Sequence, residues 1–270
     1  MIPKIIHYCW FGKKPLPDDA KKYIASWKKY LPDYEIKEWN ETNFNLNCCN
    51  YVKEAYQAKK WAFVSDYARF WILYHYGGLY FDTDVEIIKP LSDIVLNGNF
   101  MACELNFDDS FTGNSNQVEV VNPGLGIGAE AGLPFYRELL DLYGSQHFVD
   151  ECGHLNFETI VTKTTRLLRK YGFRSSGSIE QIAGLNIYPH EYFCPINYDT
   201  NQLTITDKTV SIHHYKESWL SPLDKLVNRI EHSKKGRASL DYKIRRVISK
   251  PFRGLNRLSK KGINGLFDKH

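Results

Sequence analysis

The stretch that most constrains this chain runs from Trp61 to Pro90, WAFVSDYARFWILYHYGGLYFDTDVEIIKP. From Ala62 to Tyr76 apolar residues occupy most faces of a helical period, so the helix they form is expected to be buried. Gly77-Gly78 stops it. Leu79–Asp82 then reads as a short buried strand, and extended structure resumes over Val85–Ile88. The strand ends in two carboxylates, Asp82 and Asp84, and a single intervening residue places both on the same face of a strand. Two adjacent carboxylates repel each other unless a cation sits between them, and oxygen donors of this kind suit hard divalent ions such as Mg²⁺ or Mn²⁺. The helix before them carries Ser65, Asp66 and Arg69. A metal held at a strand end beside those residues suits a site that grips the diphosphate of an activated donor.

The rest of the chain supplies a sheet for that strand. Lys4–Trp10 reads as a strand and Asp18–Tyr30 as a helix, started by an acidic residue and followed by Pro32. Tyr34–Trp39 alternates as a strand does. Tyr51–Lys59, Leu133–Tyr143 and Asn156–Tyr171 have helical spacing. Ile187–Tyr188 and Thr209–His213 read as strands, Asn106–Gln117 as a loop, and Val120–Gly132 as a glycine-rich segment headed by Asn122-Pro123-Gly124. Alternating strands and helices favour an α/β fold with a mainly parallel sheet. Ligands gather at the carboxyl ends of the strands in such sheets. Asp82 and Asp84 lie at one such end, and Trp10 follows another strand that could face the same crevice.

Charge is distributed unevenly. Of 35 Lys and Arg and 31 Asp and Glu, the segment 225–270 holds 14 basic and 3 acidic residues, a net charge of +11, which leaves residues 1–224 at −7. The chain is therefore divided into an α/β domain, 1–224, and a basic tail, 225–270. In the tail Leu240, Ile244, Val247, Ile248, Phe252, Leu255, Leu258, Ile263 and Leu266 recur at roughly helical spacing among Lys and Arg. That pattern fits an amphipathic helix on an anionic membrane surface, interrupted at Pro251. The six cysteines form no CxxC pair and fit reduced, mostly buried thiols. The N-terminal MIPKIIHYCWFG reads as a core strand rather than a signal peptide. No window approaches the ~18 apolar residues of a membrane span. A cytoplasmic location is expected.

A lone D-x-D arises often by chance, and its bland reading is a solvated turn at a strand end. Here it emerges from GGLYF, a core strand. Asp66 and Arg69 lie one helical turn apart and share a face, either as a structural ion pair or as groups that hold a donor's sugar and phosphate. Near the other end, VSIHHYKESW runs a strand into His213-His214, which supplies candidates for a third metal ligand; partly exposed histidines at a strand end are the plainer reading.

Taken together, IPKIIHYCWFG at 2–12, SWKKYLPDYEIKEWN at 26–40, AFVSDYARFWILYHYGGLYFDTDV at 62–85 and IHHYKESW at 212–219 resemble the DXD-containing sugar transferases of glycosyltransferase family 32. That family includes bacterial capsule-type enzymes and yeast α-mannosyltransferases, and is related to the catalytic domains of clostridial glucosylating toxins. The resemblance implies a GT-A fold, a Rossmann-like nucleotide-sugar sheet flanked by helices, here with a basic helical tail. It implies a metal-dependent transferase that retains anomeric configuration, with Mn²⁺ or Mg²⁺ as cofactor. By the same resemblance, Trp10 stacks on the donor base, Asp66 and Arg69 contact donor sugar and phosphate, and Tyr80 lies near the nucleotide. Asp82 bridges ribose and metal and Asp84 ligates the metal. His214, which precedes Tyr215, completes the metal shell, with His213 as the alternative. Ser218 and Trp219 cover the diphosphate, although Glu217 stands where relatives often have glycine. Asn122 and Gly124 resemble the segment lining the sugar pocket.

The expected function is transfer of a hexose from a nucleotide-sugar, a UDP-sugar favoured, to a glycan or lipid-linked oligosaccharide in capsule or surface polysaccharide synthesis. Residues 238–270 would bring the enzyme to the inner face of the plasma membrane. No nucleic-acid partner is expected, although a basic tail binds any polyanion. Two other readings compete: a sugar nucleotidyltransferase, for which the Phe11–Pro17 loop is a poor phosphate loop, and a non-enzymatic polyanion- or membrane-binding protein built around the tail.

Overall fold

The computed structural model describes residues 1–106, 118–197 and 202–216. Nearly all of these belong to one compact unit, Met1–Asn106, Gln117–Ile196 and Leu203–Tyr215. Of a second unit, Phe107–Asn116, Asn197–Gln202 and Lys216–His270, only Asn197, Gln202 and Lys216 are among the described residues. Ser218, Trp219, the boundary at 224–225, the basic tail and the loop expected beyond Asn106 lie outside the described residues.

The strands of the first unit are β1 (Ile5–Cys9), β2 (Glu35–Trp39), β3 (Gly78–Tyr80), β4 (Val85–Ile87), β5 (Phe100–Asn106), β6 (Val118–Val121), β7 (Ile127–Ala129), β8 (Glu180–Ile182) and β9 (Leu185–Tyr188). Two-residue strands β10 (Ile196–Asn197) and β11 (Gln202–Leu203) follow, then β12 (Ser211–His213). The helices are α1 (Asp18–Tyr30), α2 (Asn50–Gln57), α3 (Trp61–Tyr76), α4 (Ser92–Leu96), α5 (Pro134–Gly144), α6 (Ile160–Lys170) and α7 (His190–Phe193).

The main sheet has the order β2-β1-β3-β7-β5-β9-β8, with β6 paired on β5. β1 pairs in parallel with β2 and β3, and β5 with β9, while β7 runs antiparallel to both β3 and β5. β2, β1, β3, β5 and β9 therefore all run one way, and the expected α/β fold with a mostly parallel sheet is present.

Period-two alternation divides the side chains between two cores. Ile6, Tyr8, Leu79 and Phe81 pack with Trp27 of α1 and with Leu31 just past its end. Cys9, Tyr80, Met101 and Cys103 pack with α2, α3, α5 and α6 on the other face. The buried helix expected over Ala62–Tyr76 is α3, whose Phe63, Val64, Tyr67, Ala68, Phe70, Ile72 and Leu73 are all buried. Gly77, at φ 64, ends it in a conformation that a side chain disfavours.

The helix expected over Asn156–Tyr171 starts later, at Ile160. Asn156 turns back to the Phe148 carbonyl through its backbone N–H (2.8 Å), and the Thr159 hydroxyl accepts from Thr162 N (3.2 Å) as the N-cap. The apolar residues of that stretch suggested a longer helix, but this cap sets its start.

Candidate active site

The acidic pair sits where β3 runs out. Phe81 N–H still reaches the His7 carbonyl (3.2 Å), whereas Asp82 N–H turns to the Gly124 carbonyl (3.2 Å) and Val85 N–H closes back on the Asp82 carbonyl (3.1 Å). Asp82–Val85 is thus a turn, and the two carboxylates do not share a strand face as their spacing suggested. They converge because the chain bends. The bend is held from α1: Trp27 Nε1 donates to the Val85 carbonyl (2.8 Å), and Ile87 N–H donates to Ser26 Oγ (2.9 Å). Trp27 is fully buried.

Arg69 anchors one side of the turn. Its Nη2 lies 3.0 Å from Asp66 Oδ1 and 3.3 Å from Asp82 Oδ1, and its Nη1 donates to Asp82 Oδ2 at 3.3 Å. Nε donates to the Ser65 carbonyl (3.2 Å), and the guanidinium lies over the Tyr80 ring (4.9 Å). Tyr80 OH donates to Asp82 Oδ1 (3.0 Å). The sequence-derived set Asp66, Arg69, Tyr80 and Asp82 is therefore one bonded cluster. Burial pushes the Asp66 carboxyl up to about 7, against the pull of Arg69 and of the Ile160 N–H at the start of α6. Arg69 stays protonated, because the carboxylates around it outweigh its own burial.

The two histidines separate by strand geometry. His213 is the last residue of β12, pairs in register with Val85, and turns its imidazole to the acidic pair, with Nε2 3.2 Å from Asp84 Oδ1. Ligand atoms of Asp82, Asp84 and His213 all lie within 4.8 Å of one another. His214 points elsewhere: its ring stacks on Tyr23 (4.5 Å between centroids) and its Nε2 meets Glu86 Oε2 at 2.9 Å. The structure brings the alternative histidine, not the preferred one, to the acidic turn, because consecutive residues leaving a strand face opposite ways. Burial alone would lower His213, but Asp84, with Asp82 and Glu104, outweighs it and raises the imidazole.

The Asn122–Gly124 segment underlies Asp82. Asn122 Oδ1 accepts from Gly124 N–H (2.8 Å), and a Cβ on Gly124 would stand 2.2 Å from Asp82 Oδ2. Only glycine lets the backbone come this close. Trp10 lies just past the carboxyl end of β1, beside that of β3. Its Nε1 donates to the Lys14 carbonyl (2.6 Å), and its ring is partly buried. An open groove of about 490 Å³, lined by Tyr8, Ile24, Lys28, Pro32, Tyr34 and Ile36, lies between α1 and the β1–β2 edge and contains none of the acidic residues.

Glu104 and Tyr215 were not singled out from the sequence. Glu104 Oε2 accepts from Asn122 Nδ2 (2.7 Å) and from Tyr215 OH (2.8 Å). Burial raises its carboxyl, and these two bonds oppose that rise. The available signal was a lone acidic residue in the apolar run FMACEL.

The donor set fits a hard divalent cation such as Mn²⁺ or Mg²⁺: two carboxylates and one imidazole converge, and like charges packed this closely favour a cation between them. His213 Nδ1 is buried and, among the described residues, has no hydrogen-bond partner. Nε2, on the acidic side, is the atom that would ligate. Arg69 holds both oxygens of Asp82, while Asp84 Oδ1 faces His213 Nε2. Among the described residues no helix is long and apolar enough to cross a membrane.

Residues 17–101, from the start of α1 into β5, match the model of a family described as a glycosyltransferase sugar-binding region containing a DXD motif. Over 109 residues the chain is 28% identical to inositol phosphoceramide mannosyltransferase 1 of Schizosaccharomyces pombe, covering 37% of this chain and 33% of that protein. Over 106 residues it is 30% identical to the uncharacterized glycosyltransferase L373 of Acanthamoeba polyphaga mimivirus, covering 37% and 42%. The chain thus spans less than half the length of these relatives. A solved glycosyltransferase involved in glycosylation of the major capsid of PBCV-1 superposes with a TM-score of 0.41 at 14% identity, covering 78% of this chain and 93% of that one. The matched segment contains α3, the acidic turn and β4, but not Trp10, Asn122 or His213, and over that segment the chain is similar to glycosyltransferases that carry a DXD motif.

Proposed function

We propose that this chain is a metal-dependent, retaining glycosyltransferase that moves a hexose from a nucleotide-sugar to a glycan or lipid-linked acceptor. The observation that carries this reading is the convergence of Asp82, Asp84 and His213 on one point, with Arg69 bound beside it. Asp84, His213 and, more indirectly, Asp82 would hold Mn²⁺ or Mg²⁺. When bound, that ion would neutralise charge developing on the departing diphosphate.

The chain's own residues do the rest. Arg69 directs its nitrogens at Asp66, Asp82 and the Ser65 carbonyl, so it acts by fixing Asp82 and by its field next to the leaving group. Asp66, a buried residue of α3 that meets the Ile160 N–H at the start of α6, would accept from a donor-sugar hydroxyl. Trp10 offers a ring for the base at the carboxyl end of β1, and Asn122 and Gly124 line the sugar side. Attack comes from an acceptor hydroxyl on the face that the diphosphate leaves, with the departing phosphate taking the proton. The sugar is oxocarbenium-like in between, as in glycoside hydrolysis.

UDP-sugars are the favoured donors. The name of the Schizosaccharomyces pombe relative, an inositol phosphoceramide mannosyltransferase, makes a mannosyl donor and a lipid acceptor candidates as well. Synthesis of capsule or surface polysaccharide on the inner face of the plasma membrane, with 238–270 as the lipid-binding segment and Ser218 and Trp219 over the diphosphate, completes the proposal. A screen of UDP- and GDP-sugars with Mn²⁺ or Mg²⁺, following release of UDP or GDP, tests the transfer. Release that depends on metal, stops with chelator and is lost in Asp84→Ala is expected. Undiminished release by Asp84→Ala overturns it. Flotation with anionic vesicles, with and without 238–270, tests the tail, and equal binding by both forms argues against it.

A further inference from the structure

β5 carries an ionisable side chain that the proposed transfer leaves unused. Glu104 Oε2 receives two hydrogen bonds, from Asn122 Nδ2 (2.7 Å) and Tyr215 OH (2.8 Å). These donors belong to opposite flanks of the acidic turn. On one flank, Asn122 Oδ1 holds Gly124 N–H (2.8 Å), and the Gly124 carbonyl holds Asp82 N–H (3.2 Å). On the other, the Tyr215 ring meets the His213 ring edge-on at 4.3 Å between centroids. Tyr215 OH also lies 2.9 Å from Cys194 Sγ.

Tyr215 itself is strained. Its φ is 47, a left-handed conformation that a bulky side chain avoids. Such a residue persists only when its surroundings over-determine it. The bonds to Glu104 and Cys194 provide that constraint, and they keep the tyrosine against the back of the His213 ring. Metal-binding imidazoles and carboxylates depend on such outer contacts for their orientation.

We propose that Glu104 is the positioning residue of this metal centre, tying the turn under Asp82 and the tyrosine behind His213 to one carboxylate on β5. The proposal rests on the reading of Asp82, Asp84 and His213 as metal ligands. It goes beyond that reading by assigning the alignment of ligands from two distant segments to a single side chain that touches neither metal nor donor. A carboxylate that merely satisfied two buried donors would affect stability and leave metal affinity alone.

Mn²⁺ binding to the full chain, measured by electron paramagnetic resonance with no donor present, separates these cases. Glu104→Leu removes the acceptor, while Glu104→Gln keeps an acceptor oxygen in place. Tyr215→Phe removes one arm only. Glu104→Leu and Tyr215→Phe are expected to weaken Mn²⁺ binding about tenfold or more, the range typical of outer-contact losses at metal sites. Glu104→Gln should stay within about threefold, since both arms still find an acceptor. Adding Tyr215→Phe to Glu104→Leu should weaken binding by less than the sum of the two, because both act through one contact.

Unchanged affinity in Glu104→Leu overturns the proposal. If that variant does not fold, unchanged affinity in Tyr215→Phe overturns it. Asp84→Ala is the control for the underlying reading. If the unaltered chain binds Mn²⁺ and Asp84→Ala binds it equally well, the metal reading falls and this inference with it. Loss in Asp84→Ala beside unchanged affinity in the Glu104 and Tyr215 variants sinks only the inference.

Discussion

Asp82 and Gly124 approach so closely that neither tolerates a change in the other's shape. In Gly124→Ala the new Cβ would stand 2.2 Å from Asp82 Oδ2, so the carboxylate or the turn must move. Mn²⁺ affinity should fall about tenfold or more while the circular dichroism spectrum keeps its form. The two histidines give a second prediction. His213→Ala should weaken Mn²⁺ binding by at least about tenfold. His214→Ala, which loses a ring stack on Tyr23 and a contact with Glu86, should cost about 1 kcal/mol of stability and leave the metal in place. Calorimetric titration with Mn²⁺ checks both. Sequence spacing left this choice open because both histidines lie at the end of one strand. Which imidazole faces the turn depends on the register of β12 against β4, a pairing between residues more than a hundred apart. Asp66, Arg69 and Asp82 were more legible, since a helical turn between the first two and the DXD triplet after a core strand are local patterns. That Arg69 joins both carboxylates was not, because β3 must fold back along α3 before the three meet.

At the scale of elements, α3 and α6 place the buried carboxylate. The apolar faces of α3 are visible in its sequence, and its burial follows from them. The start of α6 was misplaced by four residues, since apolar spacing over Asn156–Tyr171 does not reveal that Thr159 caps the helix. That start matters, because the Ile160 N–H lies at Asp66. Thr159→Ala should cost about 1 kcal/mol of stability, readable as a lower melting temperature, and should raise the Asp66 carboxyl further by loosening its N–H partner. α1 has the same kind of double duty. Its amphipathic spacing predicted the helix from Asp18 to Tyr30, but only packing shows that Trp27 and Ser26 hold the strand that follows the acidic turn.

For the whole molecule, the buried junction of β1, β2 and α3 makes a pH prediction. His7 is nearly inaccessible. Trp39 Nε1 donates to its Nδ1 (3.1 Å), and its Nε2 donates to the Gly77 carbonyl (3.0 Å). A proton on Nδ1 would face the indole N–H, so the ring is held neutral, and burial lowers its pKa from 6.5 to about 4. Between those values the unfolded chain takes up a proton that the folded chain refuses. This contribution to stability is therefore complete above pH 6.5 and lost as the pH falls toward 4, at about 3 kcal/mol in all. Titration of the His7 ring by NMR should show a midpoint near 4, and a midpoint at 6.5 or above would falsify the argument.

The layered α/β fold, the buried α3 and the acidic triplet after a core strand were readable from periodicity and residue chemistry, because those signals lie within a few residues of one another. The turn that converges the carboxylates, the imidazole of His213 beside Asp84, the glycine beneath Asp82 and the bonds of Glu104 to Asn122 and Tyr215 were decided only by the tertiary structure. Each depends on contacts between segments tens of residues or more apart, whose register is set by packing against the sheet and leaves no trace in local spacing.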